Sequence, residues 1–280
     1  MRKFVALSIV LAIFITLGSK QLGRPAAFIA FLDVGQGDAT VIQLADNTTI
    51  LIDAGPDRSV VEQLDRVLPY FDRTIELAVV THPDTDHYAG FGELMERYTF
   101  DQFWIASDKP GAWETFRQNI QERGIAIERP VPGRRLQFFD GASIVVLWPL
   151  ENDSEDSNEM SIVLQFLTGD ASFFLTGDAS ITVEQQILAR NPDIHADILR
   201  LGHHGSHTSS DPAFIKNIAP ELAIISCGAE NRFGHPHQEV LDILHHQGIP
   251  YLRTDHFGSI LFFLDAPLQP VHLDKACLFC

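Results

Sequence analysis

One short segment constrains this sequence more than any other: an apolar run followed at once by several residues that can bind metal ions. Leu77–Val80 is typical of a buried strand, and His82-Pro83-Asp84-Thr85-Asp86-His87 follows it almost directly. Four imidazole and carboxylate groups within six residues repel one another or lack partners unless they hold cations. A polar turn with incidental histidines does not account for this density. The segment therefore predicts a metal site at a strand end.

Short strands and helices alternate along the chain without a repeat, which predicts a single α/β domain over residues 27–265, with residues 266–280 as a C-terminal tail. Strands are predicted at residues 27–34, 40–44, 49–52, 77–80, 136–139, 143–147, 161–166, 172–175, 198–201, 223–226 and 259–263. Helices are predicted at residues 58–71 and 113–123, from about residue 183, and near residues 239–246. The acidic segment 151–159 is predicted to be a surface loop.

The first 26 residues form a separate element. Arg2 and Lys3 precede an uncharged apolar stretch, residues 4–17, which is the charge order of a secretion signal. Its 14 residues are fewer than the roughly 20 that a transmembrane helix needs. Residues 1–26 are thus predicted to be a signal peptide or an N-terminal membrane anchor, with a hydrophobic first element of the fold as the alternative. A signal or an anchor places the protein outside the cytoplasm, secreted or at the outer face of the cytoplasmic membrane.

The charge balance excludes a protein that coats nucleic acid with a broad basic surface. Twenty Lys and Arg residues against 37 Asp and Glu give a formal charge of −17 at pH 7. If the substrate carries phosphates, bound divalent cations are one source of the positive charge that it requires.

Two further strand ends carry side chains that can bind metals. Asp178 ends Leu175-Thr176-Gly177-Asp178, and His203-His204-Gly205-Ser206-His207 follows the predicted strand 198–201. A lone Asp at a strand end is often a turn or cap residue, and a His pair is often surface decoration. Here three such loops all follow strands, so they can meet along one edge of a sheet.

These residues resemble the metallo-β-lactamase superfamily and, within it, the nuclease-like C-terminal domain of the ComEC family of competence proteins. The general likeness rests on Asp53, the segment from His82 to His87, and Asp178. The narrower likeness adds the motifs Leu32-Asp33-Val34-Gly35-Gln36-Gly37-Asp38-Ala39, Asn158-Glu159-Met160-Ser161, His203-His204-Gly205-Ser206 and Asn231-Arg232-Phe233-Gly234-His235-Pro236-His237. The Gly35-x-Gly37 turn alone does not indicate dinucleotide binding, because it lacks the third glycine and leads into a strand.

The resemblance implies an αββα sandwich with a two-metal site on one edge of the sheets. Carried onto this sequence, it gives one metal to His82 and Asp84, the other to Asp86, His87 and His204, and the bridging position to Asp178. The sequence does not decide between His203 and His204 as the ligand; we favour His204 and place His203 beside the substrate. Asp38, Asp53 and Asn158 are expected to stand behind the ligands and orient them.

Two departures from the family pattern bear on the metals. Many members have His at the position of Asp84, and another His before the bridging Asp, whereas residues 88–177 of this chain contain no His. Asn158 or water is expected to replace that ligand. The first position then has more oxygen ligands, which favours manganese or magnesium over zinc. We therefore expect two divalent ions, manganese or zinc, with magnesium as a third candidate.

The resemblance also implies hydrolysis by a hydroxide held between the two ions and positioned by Asp178. An oxygen-rich site suits a phosphodiester better than a lactam. His207 and His235 are expected to hydrogen-bond the phosphate or protonate the leaving oxygen, with loop residues of no catalytic role as the alternative. Ser206, Asn231 and Arg232 are expected to bind the substrate, Arg232 through a bidentate phosphate contact.

Three functions stay open at this point. The first is a metal-dependent phosphodiesterase or nuclease acting on DNA outside the cytoplasm; the second is a hydrolase of another ester, such as a cell-wall phosphocholine ester or a lactone; the third is a non-catalytic metal-stabilised binding module. The complete ligand set argues against the third. A nucleic-acid groove requires cations and aromatic rings beside the metals, whereas a choline site requires an aromatic cage. The candidate groove cations are Lys109, Arg117, Arg134, Arg135 and Arg232. A membrane channel protein is the expected partner if the protein serves DNA uptake.

Overall fold

The computed structural model of the protein describes residues 26–106, 113–150, 156–169 and 171–273. The predicted signal or anchor thus lies almost entirely outside the described residues, and so does Lys109. Within these ranges, none of the helices combines the length and the apolar character that crossing a membrane requires.

The first sheet has eight strands within the described residues, in the order β17-β16-β1-β2-β3-β5-β7-β8. Their bounds are β1 Phe28–Phe31, β2 Thr40–Gln43, β3 Thr49–Ile52, β5 Leu77–Val80, β7 Gln102–Ile105, β8 Ala126–Glu128, β16 Ile260–Phe263 and β17 Val271–His272. The strands from β17 to β3 pair antiparallel, and those from β3 to β8 pair parallel. Two short strands, β4 Thr74–Ile75 and β6 Thr99–Phe100, form a separate parallel pair.

The second sheet has seven strands in the described part of the chain, in the order β15-β14-β13-β12-β11-β10-β9. Their bounds are β9 Arg135–Gln137, β10 Ser143–Trp148, β11 Val163–Thr168, β12 Ala171–Leu175, β13 Ile198–Arg200, β14 Leu222–Ile225 and β15 Tyr251–Arg253. Strands β9 to β12 pair antiparallel, and β12 to β15 pair parallel.

Helices cover the outer face of each sheet. The helices are α1 Ser59–Val67, α2 Thr85–Tyr88, α3 Gly90–Leu94, α4 Glu114–Glu122, α5 Ile181–Arg190, α6 Pro212–Ile218, α7 Gln238–Gln247 and α8 Thr254–Phe257. Buried residues of α1, α3 and α4 share one core with the first sheet, and those of α5, α6 and α7 share another with the second. A third core, rich in aromatic rings such as Trp104 and Phe173, lies between the sheets. The layers are therefore helix, sheet, sheet and helix, as predicted.

Strand β1 shows why the strands are continuous apolar runs. Phe28 and Ala30 face the helices beside the first sheet, while Ile29 and Phe31 face the second sheet, and all four are buried. Successive side chains of a strand point to opposite faces, so a sheet covered on both sides has no face left for polar residues.

The main differences from the predicted elements have local causes. Helix α1 ends at Val67 and not at residue 71, because Pro69 drives Leu68 into an extended conformation, with φ −89° and ψ 148°. Strands β7, β8 and β15 were not predicted; β8 and β15 have only three residues each. The first sheet also continues past residue 265, where β17 pairs with β16 and is followed by buried Leu273.

The topology brings five strand ends to one edge of the sandwich. Asp53 follows β3 and His82 follows β5, which pair parallel in the first sheet. Asp178, His203 and Cys227 follow β12, β13 and β14, three parallel neighbours in the second sheet. Because parallel strands end on the same side, the loops with the predicted ligands meet at this edge.

Candidate metal centre

Three buried imidazoles converge on the carboxylate of Asp178. The Nε2 atoms of His87, His204 and His82 lie 3.3, 3.6 and 3.8 Å from Asp178 Oδ2. Among the described residues, none of these nitrogens has a hydrogen-bond partner, and neither has Asp178 Oδ1. Unsatisfied polar atoms are costly in a protein interior, and three such nitrogens converging on one carboxylate fit a bound cation.

Hydrogen bonds behind two of the histidines fix the nitrogen that faces the centre. His87 Nδ1 lies 2.7 Å from Asp53 Oδ2, and His204 Nδ1 lies 3.0 Å from the carbonyl oxygen of Ser226. Both Nδ1 atoms therefore donate a proton, and each Nε2 is the nitrogen that faces Asp178. Although burial opposes the charged form of His87, Asp178 and Asp53 raise the pKa of its imidazole well above the usual value, so a metal ion would have to displace the proton from its Nε2. Asp53 is itself fixed by Thr81, whose N–H and hydroxyl donate to it at 2.8 and 2.7 Å.

Two partly exposed carboxylates complete the cluster at its open side. Asp84 Oδ2 lies 3.7 Å from His82 Nε2, and Asp86 Oδ2 lies 3.3 Å from His204 Nε2. The donors thus divide into His82 with Asp84 and a second group with Asp86, and Asp178 lies between them. Burial opposes ionisation of Asp178, but the nearby histidines hold the pKa of its carboxyl well below the usual range. It is therefore an anion, able to bind cations.

Asp38 stands behind this cluster. Asp38, His87, Asp178 and His204 each offer one ligand atom within 4.8 Å of the others. However, Asp38 forms an ion pair with Arg200, and its carboxylate is 3.8 Å from His87 Nδ1, the nitrogen that points away from Asp178. This geometry suits an orienting residue better than a ligand.

Arg200 is a residue of the site that the sequence analysis missed. It is buried, donates through Nη1 to the carbonyl oxygen of Gly177, and lies 3.8 Å from Asp178 Oδ1. Burial lowers the pKa of its guanidinium to about 9, which leaves it cationic at neutral pH. The signal was a charge inside the apolar run Ile198-Leu199-Arg200-Leu201, since charged residues are rarely buried without a partner.

The glycine turn before Asp38 packs against the loop that carries Asp86. A Cβ atom on Gly37 would lie 2.4 Å from the carbonyl oxygen of Asp86 and 2.9 Å from Pro56 Cδ. The same carbonyl accepts a hydrogen bond from the N–H of Asp38, at 3.1 Å. The turn thus serves close packing beside the centre, which agrees with the exclusion of a dinucleotide-binding loop.

The backbone of the His pair is left-handed, with φ 49° at His203 and 56° at His204. Such conformations are unfavourable for residues other than glycine and cluster at functional sites. His204 is buried, whereas the His203 side chain is 27% exposed, with Nε2 3.8 Å from Asp178 Oδ2. Both rings reach the centre, and the difference in burial favours His204 as the ligand and His203 as the residue beside the substrate.

The Asn158 loop supports the centre from the second sheet. Asn158 begins a short 3₁₀ turn, and its Oδ1 is buried without a hydrogen-bond partner among the described residues. Ser161 in the same loop accepts a hydrogen bond from the N–H of Asp178, at 3.1 Å. The imidazole of His82, with help from Ser157, lowers the pKa of Asp84. The loop therefore contacts both Asp178 and Asp84.

The predicted substrate-side histidines differ in position. His235 is buried, and its ring lies 6.2 Å from that of His204 and 5.5 Å from that of His203. Burial, together with the neighbouring imidazoles, lowers the pKa of His235 to about 4, so it is neutral at pH 7. His207 is exposed, and its Nδ1 lies 2.8 Å from Nδ1 of His237, a residue to which we had given no role.

The three predicted substrate-binding residues also differ. Ser206 is buried, and its hydroxyl contacts Thr208 Oγ1 at 3.0 Å within its own loop. Asn231 uses its amide to close the loop from Gly228 to His235. Arg232 is exposed and lines a cavity of about 510 Å³ whose wall also includes Asp86.

The other described groove cations lie elsewhere. Arg117 pairs with Glu114, Arg134 pairs with Glu128, and Arg135 donates to Ser143 Oγ. Of the predicted cations in the described ranges, Arg232 is therefore the one that this cavity places beside the centre.

With this geometry in place, comparisons with known proteins define the class. The family model described as "Metallo-beta-lactamase superfamily" matches residues 32–229, and the chain belongs to this superfamily. Among curated proteins, ComE operon protein 3 of Bacillus subtilis (strain 168) is 33% identical over 257 residues, which cover 84% of this chain and 32% of that protein. Competence protein ComA of Neisseria gonorrhoeae is 28% identical over 261 residues, 91% of this chain and 35% of that protein.

These relatives confirm the likeness to ComEC-type competence proteins, although the chain spans about a third of their length. Among solved structures, the diiron β-hydroxylase CmlA of Streptomyces venezuelae aligns with a TM-score of 0.58 at 12% identity, over 90% of this chain and 55% of that one. This likeness shows a shared fold. Superfamily members are generally metal-dependent hydrolases, and the buried His and Asp cluster fits divalent cations.

Proposed function

We propose that this protein is a metal-dependent phosphodiesterase that cleaves DNA, and that it uses two divalent ions. The observation that carries the proposal is the convergence on Asp178 of three imidazole nitrogens that have no hydrogen-bond partner among the described residues, with Asp84 and Asp86 beside them. Two groups of donors that share one carboxylate can hold a pair of ions. Their mixed oxygen and nitrogen chemistry suits manganese, which also binds phosphate oxygens.

The bound ions would acidify a water molecule and offset the charge that develops on the phosphate. The residues of the chain would orient the ligands and bind the substrate. Asp178 holds the centre together, and Asp53 and the Ser226 carbonyl keep His87 and His204 in the required tautomers. Neutral His203, at the open side, can accept or donate a hydrogen bond to the substrate, and burial lowers its pKa. Arg232 can bind a phosphate in the adjoining cavity.

A DNA substrate is also supported by the relatives. The name of the Neisseria gonorrhoeae relative refers to competence, and the matches to both relatives extend over most of this chain. A choline ester is less well supported, because Phe233 is the one aromatic side chain among the described residues that line the cavity. A cage for a quaternary ammonium requires several rings.

The test is cleavage of single-stranded DNA by the full chain after chelation and after manganese is restored. We expect metal-restored cleavage in the wild type and a loss of at least about 100-fold in Asp178→Asn. Asp193→Asn is the matched control, because Asp193 is exposed and precedes β13, at the opposite end from the centre. Manganese-loaded protein that cleaves no DNA, but hydrolyses a phosphocholine ester or a lactone, would contradict the proposal.

We further propose that the reaction takes place outside the cytoplasm, at the membrane, next to a channel protein that admits the DNA. The charge order of residues 1–17 and the competence relatives support this location. Protease added to intact spheroplasts should then degrade the protein. Protection equal to that of a cytoplasmic marker would refute the location without affecting the chemistry.

A further inference from the structure

The cavity that Arg232 lines adjoins the metal-binding cluster. It is lined by Gln36, Pro56 and Thr85 and by the loop from Asn231 to Phe233. Asp86 belongs both to this wall and to the metal-binding cluster. Any group that fills the cavity therefore lies directly beside the centre.

The loop presents an aromatic ring to solvent. Residue Phe233 is 49% exposed, although burying a Phe side chain is favourable. Its position is nevertheless fixed, because the Asn231 amide donates to the carbonyl oxygens of Gly228 and His235, at 2.9 and 2.6 Å, and accepts from the N–H of His235 at 2.9 Å. Hydrogen bonds within the loop thus keep the ring in a partly solvent-exposed position.

The Phe233 ring contacts one neighbouring ring and one planar cation. It stacks on the His235 ring, with centroids 5.7 Å apart and planes at 23°. The guanidinium carbon of Arg232 lies over the ring at 4.8 Å from its centroid. An exchangeable planar cation on an exposed ring marks a place where another planar group can stack.

A short series of rings connects Phe233 to the centre. Phe233 stacks on His235, and His235 stacks on His204, with centroids 6.2 Å apart and planes at 30°. His204 Nε2 lies 3.6 Å from Asp178. Phe233 is therefore two ring contacts from a predicted metal ligand, close enough to serve the nucleotide next to the bond that is cleaved.

We propose that Phe233 is a stacking platform for the nucleobase adjacent to the scissile phosphate, and that the substrate is single-stranded nucleic acid. The base displaces the guanidinium of Arg232, which then pairs with a phosphate. This inference rests on the proposed phosphodiesterase function. With a net charge of −17, the protein gains little from broad attraction to phosphates, whereas stacking needs no charge and is open to any unpaired base.

The experiment uses the thymidine dinucleotide TpT, which has a single phosphodiester bond, and its two analogues in which one base or the other is missing. The value of kcat/KM is measured with the manganese-loaded full chain for wild type, Phe233→Ala, Phe233→Leu and Phe233→Trp. Removing the base that stacks should lower the wild-type value about 5- to 100-fold. Phe233→Ala and Phe233→Leu should lower kcat/KM for TpT by a similar factor, and Phe233→Trp, which keeps an aromatic ring, should retain a value close to that of the wild type.

The decisive comparison is the abasic analogue with Phe233→Leu, which keeps apolar packing without a π face. If the ring stacks on the base, the two losses do not multiply, because each removes the same contact. If Phe233 merely supports His235, the variants lower the rate equally for all three substrates, which overturns the inference and leaves the phosphodiesterase standing. If wild type cleaves neither TpT nor longer single strands, the proposed function fails, and the platform fails with it. Unchanged manganese binding shows that the variants are folded.

Discussion

The substitution Asp53→Asn tests whether hydrogen bonds behind the ligands determine metal binding. Asp53 accepts three hydrogen bonds, from the N–H and the hydroxyl of Thr81 and from His87 Nδ1. Its backbone is left-handed, at φ 57°, a conformation that Asn tolerates as well as Asp. The substitution therefore changes one acceptor atom into a donor with little strain on the chain.

The new amide group conflicts with one of two donors. If its nitrogen faces His87, the imidazole must move its proton to Nε2, and the lone pair then points away from Asp178. If its nitrogen faces the N–H of Thr81, a buried donor loses its partner, which costs about 1–3 kcal/mol of stability. Loss of such an orienting partner typically weakens metal binding 10- to 100-fold, or about 1.4–2.8 kcal/mol.

The assay is calorimetric titration of chelator-treated full-length protein with Mn²⁺. Asp46→Asn is the matched control, because Asp46 is an exposed carboxylate in the turn between β2 and β3. We expect the control to bind as wild type does and Asp53→Asn to bind at least one ion about 10-fold more weakly. Binding constants of Asp53→Asn that equal those of wild type, in a folded protein, would refute the tautomer argument.

Three further predictions concern stability. Gly37→Ala should cost about 1–3 kcal/mol in urea unfolding, because its Cβ would lie 2.4 Å from the Asp86 carbonyl oxygen, whereas Gly92→Ala in helix α3 has open space and no positive φ and should cost less; equal costs would exclude the packing argument. Burial raises the pKa of the Glu184 carboxyl to about 8, so the folded protein favours its protonated form. This preference contributes up to about 5 kcal/mol to the free energy of unfolding below pH 4.5, and the contribution is lost as the pH rises towards 8. In Glu184→Gln, the free energy of unfolding in urea should no longer decrease in this way between pH 5 and pH 8. A pH dependence equal to that of the wild type would contradict the prediction. Mn²⁺ at 100 times its dissociation constant should stabilise the protein by about 2.7 kcal/mol, and a melting temperature that chelation does not change would argue against a metal site.

Much of the fold could be predicted because both sheets are covered on both faces. Runs such as Leu77–Val80 and Thr49–Ile52 are buried throughout, and their predicted bounds match the strands. Strands such as Ala126–Glu128 and Tyr251–Arg253 lie at sheet edges and are partly exposed, so their sequences lack an apolar run. Sequence reasoning therefore finds the buried strands more readily than the edges.

The candidate site shows the same division between local and long-range information. The His82 to His87 segment lies within six residues, so its chemistry could be recognised from the sequence. The Arg200 ion pair with Asp38 joins two strand ends far apart in the chain, and neither residue indicates the other. The role that we propose for Phe233 likewise depends on its stacking on His235 and on its place in the cavity wall, and neither can be read from the sequence.

The contacts of the arginines bear on how an acidic chain could bind the anionic substrate that we propose. Arg117 is paired with Glu114 of its own helix, Arg134 with Glu128 of β8, and Arg200 with Asp38 behind the centre. Arg232 lies over an aromatic ring and lines the cavity beside Asp86, so a substrate phosphate can compete for it. Under the proposed function, positive charge for the substrate would thus come from this arginine and from the cations that the His and Asp cluster fits. Under the proposed function such a site would contact few phosphates, so affinity would have to come from the bases as well, which is the role that we propose for Phe233.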